Sequence, residues 1–343
     1  MPEPSQDPAE ERVADYLAHR MPEAQGMTVS ALSRIPGGAS QETYRFHARW
    51  QEDGKTREKD LILRRAPEMS LVNPEHGMEF AVYSALWGSG VPVPRALYGE
   101  LDPAWLERPF FIMEMVEGRP ALIYGTDDPF DGAGNAVGNN FWRNLGRLAA
   151  QDAAILKDAK LRGDDVRAHF WDVELTHWEA ILDSDEDLIE PIVRGAIRWL
   201  RAYPPPDPAR PAIVHGDYRV GNFLFQSDGT ITAQLDWEMC HIGDPLEDIA
   251  WAIDPMWSME KHFLLEEGLA LWEEASGLAL DREALDWWRL FSTVKASALW
   301  TTSERSFEDG HNREMVLALT AFRAGHFHRR LILDLMKQRG AMG

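Results

Sequence analysis

Residues 212–251 read AIVHGDYRVGNFLFQSDGTITAQLDWEMCHIGDPLEDIAW, and their pattern decides the fold. Two short apolar runs, at 212–214 and 223–225, enclose a polar knot at 215–222, His-Gly-Asp-Tyr-Arg-Val-Gly-Asn. Ser227, Asp228 and Gly229 then mark a turn, and a third apolar run at 231–235 delivers Asp236, Trp237 and Glu238. Turn residues between β-compatible runs predict strand, loop, strand, turn, strand. Such a hairpin brings Asp217, Asn222 and Asp236 close together.

Those three side chains suit one chemistry. A carboxylate at a loop tip, Asp217, orients a hydroxyl and accepts its proton. An amide oxygen five positions on, at Asn222, and a second carboxylate, Asp236, are hard oxygen ligands of the kind that hold Mg²⁺. Phosphoryl transfer needs mainly positioning and charge neutralisation, and this set supplies both.

His-x-Asp, then Asn five residues after the Asp, then a strand-borne Asp, resembles the catalytic and metal loops of the protein-kinase-like phosphotransferases. The form His-Gly-Asp…Asn…Asp-Trp-Glu looks like the aminoglycoside phosphotransferase branch. Eukaryotic protein kinases instead carry Arg after the His and Asp-Phe-Gly later. The resemblance implies an α+β, two-lobed protein-kinase-like fold. An N-lobe at residues 1–116 would hold an antiparallel sheet and one main helix, and a mostly helical C-lobe at 117–343 would carry the catalytic hairpin. It further implies ATP or GTP with Mg²⁺, Asp217 as the catalytic group, and Asn222 and Asp236 as the metal ligands.

Upstream, a strand at 27–35 meets Pro36, Gly37, Gly38, Ala39 and Ser40, and a strand returns at 42–48. A glycine hairpin can turn backbone N–H groups and a hydroxyl onto a phosphate. By itself that pattern is common. The resemblance makes it the nucleotide loop, with Gly37, Gly38 and Ser40 on the phosphates. Residues 59–65, KDLILRR, form a third strand. Protein kinases place a phosphate-pairing Lys there; this chain offers Arg64, a competent phosphate ligand. Here it is similar to the subgroup of kinase-like domains fused to some acyl-CoA dehydrogenases. The plainer reading is that Arg64 and Arg65 end a strand at the surface.

A helix is predicted over 73–87, with Glu79, Phe80, Tyr83 and Leu86 on one side. The resemblance pairs Glu79 with the strand-three cation; as a bare pattern it is a solvated helix acid, as is Glu75. Residues 110–116, FFIMEMV, form an apolar run. The resemblance places the interlobe hinge there, with backbone groups of Glu114 and Val116 on the adenine edge and Met113 behind the ring.

Residues 120–140 read as a long loop, and helices are expected at 140–157, 192–203, 256–280, 281–303 and 313–338. Asp244 and Pro245 have the form of an N-cap and first helical residue. His215, Asp244 and Asp248 are expected to brace the loop, and Arg219 to make a salt bridge within it. Cys240 and His241 lack further ligands at metal-site spacing. His326 and His328, two residues apart on one helix, point different ways and are assigned to the surface. Of the fourteen tryptophans, most should be core, with one or two lining an acceptor pocket.

Composition bounds the rest. The 343 residues are 45% hydrophobic and 27% charged, as in ordinary globular proteins. A net charge of −21 argues against nucleic acid or an anionic membrane as partner. A single cysteine excludes an intramolecular disulfide and fits a cytoplasmic setting. The first twelve residues are acidic and polar, unlike a secretory leader. The expected function is ATP/Mg-dependent transfer of a γ-phosphoryl group to a hydroxyl of a small molecule: an aminoglycoside, a hydroxyacyl-CoA-like thioester or another alcohol. The rival is a catalytically idle nucleotide-binding regulatory module, supported by Arg64 standing where lysine is usual.

Overall fold

A computed structural model describes residues 8–35, 41–66, 77–121, 128–159, 161–163, 169–184, 190–310 and 315–340. The expected glycine loop with Gly37, Gly38 and Ser40 lies outside the described residues. The architecture is α+β. Helix α1 (Glu10–Arg20) precedes β1 (Gln25–Arg34), β2 (Glu42–Glu52) and β3 (Lys55–Arg65). Then come α2 (Met78–Leu86), β4 (Ala96–Glu100), the short α3 (Pro103–Leu106) and β5 (Phe110–Glu114). The five strands form one antiparallel sheet in the order β1-β2-β3-β5-β4.

Strand parity sorts the two faces of that sheet. Leu61, Leu63, Phe110 and Ile112 pack with Val13, Tyr16 and Leu17 of α1. Ile62, Phe111 and Met113 point the other way, joining Val82 and Tyr83 of α2 and the distant Trp237. Arg64 follows the parity of Ile62, and Arg65 that of Leu63. Neither ends a strand at the surface: both are buried. Arg65 is consumed on the α1 side, donating through Nε (2.9 Å) and Nη2 (2.6 Å) to Glu42 Oε2, which also accepts from Arg108.

The remainder is mostly helical: β6 (Arg119–Pro120), α4 (Gly134–Ala150), a 3₁₀ helix (Ala153–Ala159), α5 (Phe170–Asp183) and α6 (Pro191–Ala202). The strands β7 (Ala212–Val214), β8 (Phe223–Phe225), β9 (Ile231–Gln234) and β10 (His241–Gly243) follow. Helices α7 (Leu246–Ala252), α8 (Leu265–Ser276), α9 (Arg282–Glu308) and α10 (Met315–Gln338) complete the chain.

Several expectations are corrected. β8 and β9 form the predicted hairpin, but β7 leaves it and pairs with β10, while β8 takes β6 as its second neighbour. The helix expected from 140 begins at Gly134, inside the predicted loop. Its glycines, which weaken an isolated helix, are here closely packed. A Cβ on Gly138 would lie 2.4 Å from the Phe263 Cβ, and one on Gly146 would lie 2.6 Å from the Ala275 Cβ. Close docking of α4 on α8 and the chain before it outweighs local propensity. Residues 256–263 are turns and not helix, and α9 runs on to Glu308, beyond its expected end at 303. Helix α7 starts one residue later than expected: Pro245, not Asp244, is its N-cap, and the Asp244 carboxylate accepts from the Leu246 N–H at 2.9 Å.

Gly138→Ala should therefore destabilise the fold by about 1–3 kcal/mol, the usual cost of overpacking. Denaturant unfolding measures it; wild-type stability would contradict the close packing of α4.

Candidate active site

The polar knot at 215–222 is held from several sides. Gly216 sits at φ +82°, and a Cβ there would lie 2.4 Å from the Met239 carbonyl oxygen, so the loop tolerates only glycine. The buried Asp248 carboxylate of α7 accepts from the His215 N–H (2.7 Å) and the Gly216 N–H (2.9 Å). The Asp217 N–H donates to His215 Nδ1 at 3.2 Å, so Nε2 carries the proton and donates to the Leu235 carbonyl at 2.9 Å. Both ring nitrogens are occupied and the ring is buried, so His215 braces the loop, as expected.

Asp217 keeps a partly exposed carboxylate surrounded by donors. Arg219 Nε reaches Oδ1 (3.0 Å) and Oδ2 (3.2 Å), Asn222 Nδ2 donates to Oδ2, and Trp251 Nε1 donates to Oδ1 at 2.6 Å. The expected loop salt bridge of Arg219 is present, and its guanidinium also lies over the Trp257 ring. Asn222 Nδ2 donates to the Asp217 carbonyl as well (2.9 Å). Both of its polar hydrogens thus point toward Asp217, turning the amide oxygen away. The register Phe223↔Gln234 sets Asn222 and Asp236 on opposite strands at the same open end of the β8–β9 hairpin. Asp236 adopts φ +69°, turning the chain out of β9.

Arg64 connects this hairpin to the sheet. Its Nη2 donates to Asp236 Oδ1 at 3.2 Å, and its Nη1 pairs with Glu79 Oε1 of α2 at 3.1 Å. Burial works against the guanidinium charge, but Glu79, Tyr83 and Asp236 outweigh it and hold the group charged. Burial pushes the Glu79 carboxyl up to about 7, with Arg64 pulling the other way. Arg64 Nε is buried without a hydrogen-bond partner among the described residues. Glu79 is no solvated acid: its second oxygen accepts from Gln41, which adjoins the glycine stretch.

At the end of β5 the Glu114 N–H donates to the Arg95 carbonyl (3.0 Å) and its carboxylate pairs with Lys59 (2.7 Å). The Val116 N–H makes no hydrogen bond among the described residues. Met113 is buried with Ile62 and Trp237.

Other features escaped the sequence reading. Below the loop lies a buried charge cluster. Lys295 of α9 pairs with Glu247 (2.8 Å), Glu247 with His241 (3.1 Å), His241 with Glu174 (3.5 Å), and Glu174 with Arg162 (2.6 Å). Ligand atoms of Glu174, His241 and Glu247 lie within 4.8 Å of one another, in the manner of a metal site. Arg162 and Lys295 already balance those carboxylates. His328, assigned to the surface, is fully buried and meets Asp254 at 3.2 Å; only its neighbour His326 is exposed. One ring of helix α10 faces inward where α10 packs on α9, which the two-residue spacing does not reveal. The Trp251 and Trp257 rings lie 4.8 Å apart, tilted by 41°, beside Asp217, with Trp300 packed against them.

Burial pulls the His215 imidazole down to about 4, the Asp217 charge opposing. The unfolded ring titrates near 6.5, so the unfolded state binds more protons between pH 4 and 6.5. Stability from this group is therefore full above pH 6.5 and falls on acidification, by roughly 3 kcal/mol across the window. His215→Gln should flatten that part of the pH dependence in denaturant unfolding; equal slopes in both proteins would contradict a neutral buried ring.

Comparison with known proteins identifies the family and the fold. A family model described as the phosphotransferase enzyme family matches residues 31–290. Acyl-CoA dehydrogenase family member 11 of Gallus gallus is 27% identical over 240 residues, 69% of this chain and 30% of that protein. Acyl-CoA dehydrogenase family member 10 of Mus musculus is 27% identical over 199 residues, 57% of this chain and 18% of that protein. The chain thus spans less than a third of these relatives' length. Among solved structures, a candidate aminoglycoside phosphotransferase from Ralstonia eutropha superposes with TM-score 0.70 at 18% identity, covering 97% of this chain and 99% of that one. A thermostable mutant of an aminoglycoside phosphotransferase, in ternary complex with ADP and hygromycin B, superposes with TM-score 0.61 at 17% identity, covering 96% and 99%. The fold is the two-lobed protein-kinase-like one, and the chain belongs to the phosphotransferase enzyme family.

Proposed function

We propose that this chain moves the γ-phosphoryl group of ATP, with Mg²⁺, to a hydroxyl of a small molecule. The observation that carries the reading is the Arg64 guanidinium, which reaches Glu79 and Asp236 at once and joins the sheet to the hairpin that bears Asp217 and Asn222. The nucleotide would lie between a sheet-bearing N-lobe, residues 1–116, and a helical C-lobe, residues 117–343. The residues fit that occupant: Arg64 has a buried Nε without a hydrogen-bond partner among the described residues, and Asn222 and Asp236 offer a hard oxygen pair. Gly37, Gly38 and Ser40 would receive the phosphates. The Glu114 carbonyl and the Val116 N–H would meet the base, the Glu114 N–H being engaged by Arg95. GTP would satisfy the same phosphate contacts.

Asn222 and Asp236 would hold Mg²⁺, which would supply neutralisation of the phosphate charge. The chain's own groups do the rest. Asp217 orients the acceptor hydroxyl and takes its proton, while Arg219 and Asn222 hold the carboxylate in place. His215, neutral and doubly bonded, is left to brace. Arg64 trades part of its contact with Asp236 for phosphate oxygen, and Glu79 keeps it aimed.

Trp251 and Trp257 in the wall beside Asp217 are buried and Trp300 is half-buried, so the acceptor reading follows the relatives. The dehydrogenase relatives support a hydroxyacyl thioester, whereas the structure neighbour holding hygromycin B supports an aminoglycoside. The higher identity belongs to the dehydrogenases, and we favour the hydroxyacyl thioester over the aminoglycoside or a simpler alcohol. No helix among the described residues is long and apolar enough to cross a membrane. The single cysteine suits a cytoplasmic enzyme. An idle regulatory module is disfavoured, because Asp217, Asn222 and Asp236 are all in place.

The test is a screen of hydroxyl acceptors by Mg-dependent ATP consumption. On the acceptor found, Asp217→Ala should lose about 10²–10⁴-fold in turnover and still bind nucleotide. Asp236→Ala should instead weaken Mg-nucleotide binding in calorimetry. Nucleotide binding with no acceptor phosphorylated across the panel would favour the idle module, and normal turnover of Asp217→Ala would sink the assignment of Asp217.

A further inference from the structure

Three side chains donate to the Asp217 carboxylate. Arg219 and Asn222 belong to its own loop. Trp251 comes from the last turn of α7, and its indole N–H makes the shortest contact to Oδ1, at 2.6 Å. An indole nitrogen is a donor only, and it cannot swing away, because the ring is buried against Trp257. Oδ1 is thus pinned by Trp251 and Oδ2 by Asn222, which blocks rotation of the carboxylate about its Cβ–Cγ bond.

The ring is itself fixed by a charge. Lys295 is 1% exposed, and its ammonium lies 4.9 Å from the Trp251 ring centroid. The same ammonium donates to the Gly216 carbonyl, one residue before Asp217, and to Glu247. A cation over an aromatic face is attracted to the ring and draws density from it. The indole N–H is thereby made a stronger donor at the edge that meets Asp217. One buried cation accordingly supports the catalytic carboxylate twice, through the loop backbone and through the indole.

We propose that Trp251 is a positioning residue for phosphoryl transfer: its indole N–H, backed by the buried Lys295 ammonium, locks the Asp217 carboxylate in the orientation that receives the acceptor hydroxyl. This rests on the role of Asp217 in the proposed reaction.

Two measurements test it, and one needs no turnover. In protein labelled with ¹⁵N-tryptophan, the indole signal missing from Trp251→Phe identifies Trp251. It should lie downfield of the other indoles, as a donor to a carboxylate does, and move upfield in Asp217→Ala. A signal indifferent to Asp217→Ala overturns the contact. In the kinetic arm, Trp251→Phe keeps an aromatic ring and removes the donor. Its kcat should fall about 10- to 100-fold, the scale of a hydrogen bond to a charged group, with nucleotide KM and nucleotide affinity unchanged. Should that variant fail to fold, benzothienylalanine at position 251 keeps the bicyclic shape and removes only the N–H. Wild-type kcat in the variant that folds overturns the positioning role, provided Asp217→Ala is impaired. Full turnover in Asp217→Ala removes the role of Asp217 itself, and this proposal with it.

Discussion

One guanidinium joins the two halves of this molecule. Arg64 leaves the sheet on β3, meets Glu79 on α2 and meets Asp236 at the exit of the β8–β9 hairpin. The ion pair with Glu79 is removed from water, where an unpaired charge is costly. Glu79, Tyr83 and Asp236 together keep Arg64 charged against its own burial. Strand parity explains why this residue and not its neighbour does the work. Ile62, Arg64, Phe111 and Met113 share the face turned toward α2 and Trp237, whereas Arg65 points into the α1 side and is spent on Glu42. Arg can hold two carboxylates at once because its fork presents separate nitrogens, which a lysine ammonium does with less geometric definition.

The loop at 215–222 is supported from below by buried polar groups. Asp248 accepts two consecutive backbone N–H groups, which fixes the direction of the chain into Asp217. Burial pushes that carboxyl up to about 7, the His215 N–H pulling it back. Lys295, Glu247, His241, Glu174 and Arg162 form a chain of alternating charges reaching from α9 through α7 and β10 to α5. Buried ion pairs of this kind add little net stability, since desolvation offsets attraction. Their effect is geometric. They hold the α7 helix, and so Asp248 and Trp251, in one place relative to the loop, the preorganisation that a positioning-dominated reaction needs.

Legibility in the sequence followed how local each feature is. The β8–β9 hairpin, the Asp217–Asn222 spacing and Asp236 depend on fewer than twenty-five consecutive residues, and they are where the pattern placed them. Arg64 and Glu79 were found through family resemblance, since neither residue type at its spacing is distinctive. The partner of β7 was missed because β10 lies beyond the hairpin and nothing local favours it over β8. The start of α4 was missed because Gly134 and Gly138 read as loop, while close packing against residues 262–263 makes glycine necessary there. His328 was placed at the surface because its burial depends on α9, Asp254 and Trp257, none of them near it in the chain.

The sequence alone determined the family resemblance and the chemical kit: a carboxylate, an amide and a second carboxylate at spacings that a hairpin can close. Short spacings encode short-range geometry, so this much needs no tertiary information. Only the tertiary structure decided how the kit is aimed. Trp251, Asp248 and Lys295 stand 34, 31 and 78 positions beyond Asp217 and reach its loop because α7 and α9 fold beneath it. The tryptophan wall beside Asp217 is likewise assembled from three separate segments. Contacts between groups so far apart carry no local signature, since the closure of the chain that creates them is the sum of all its packing.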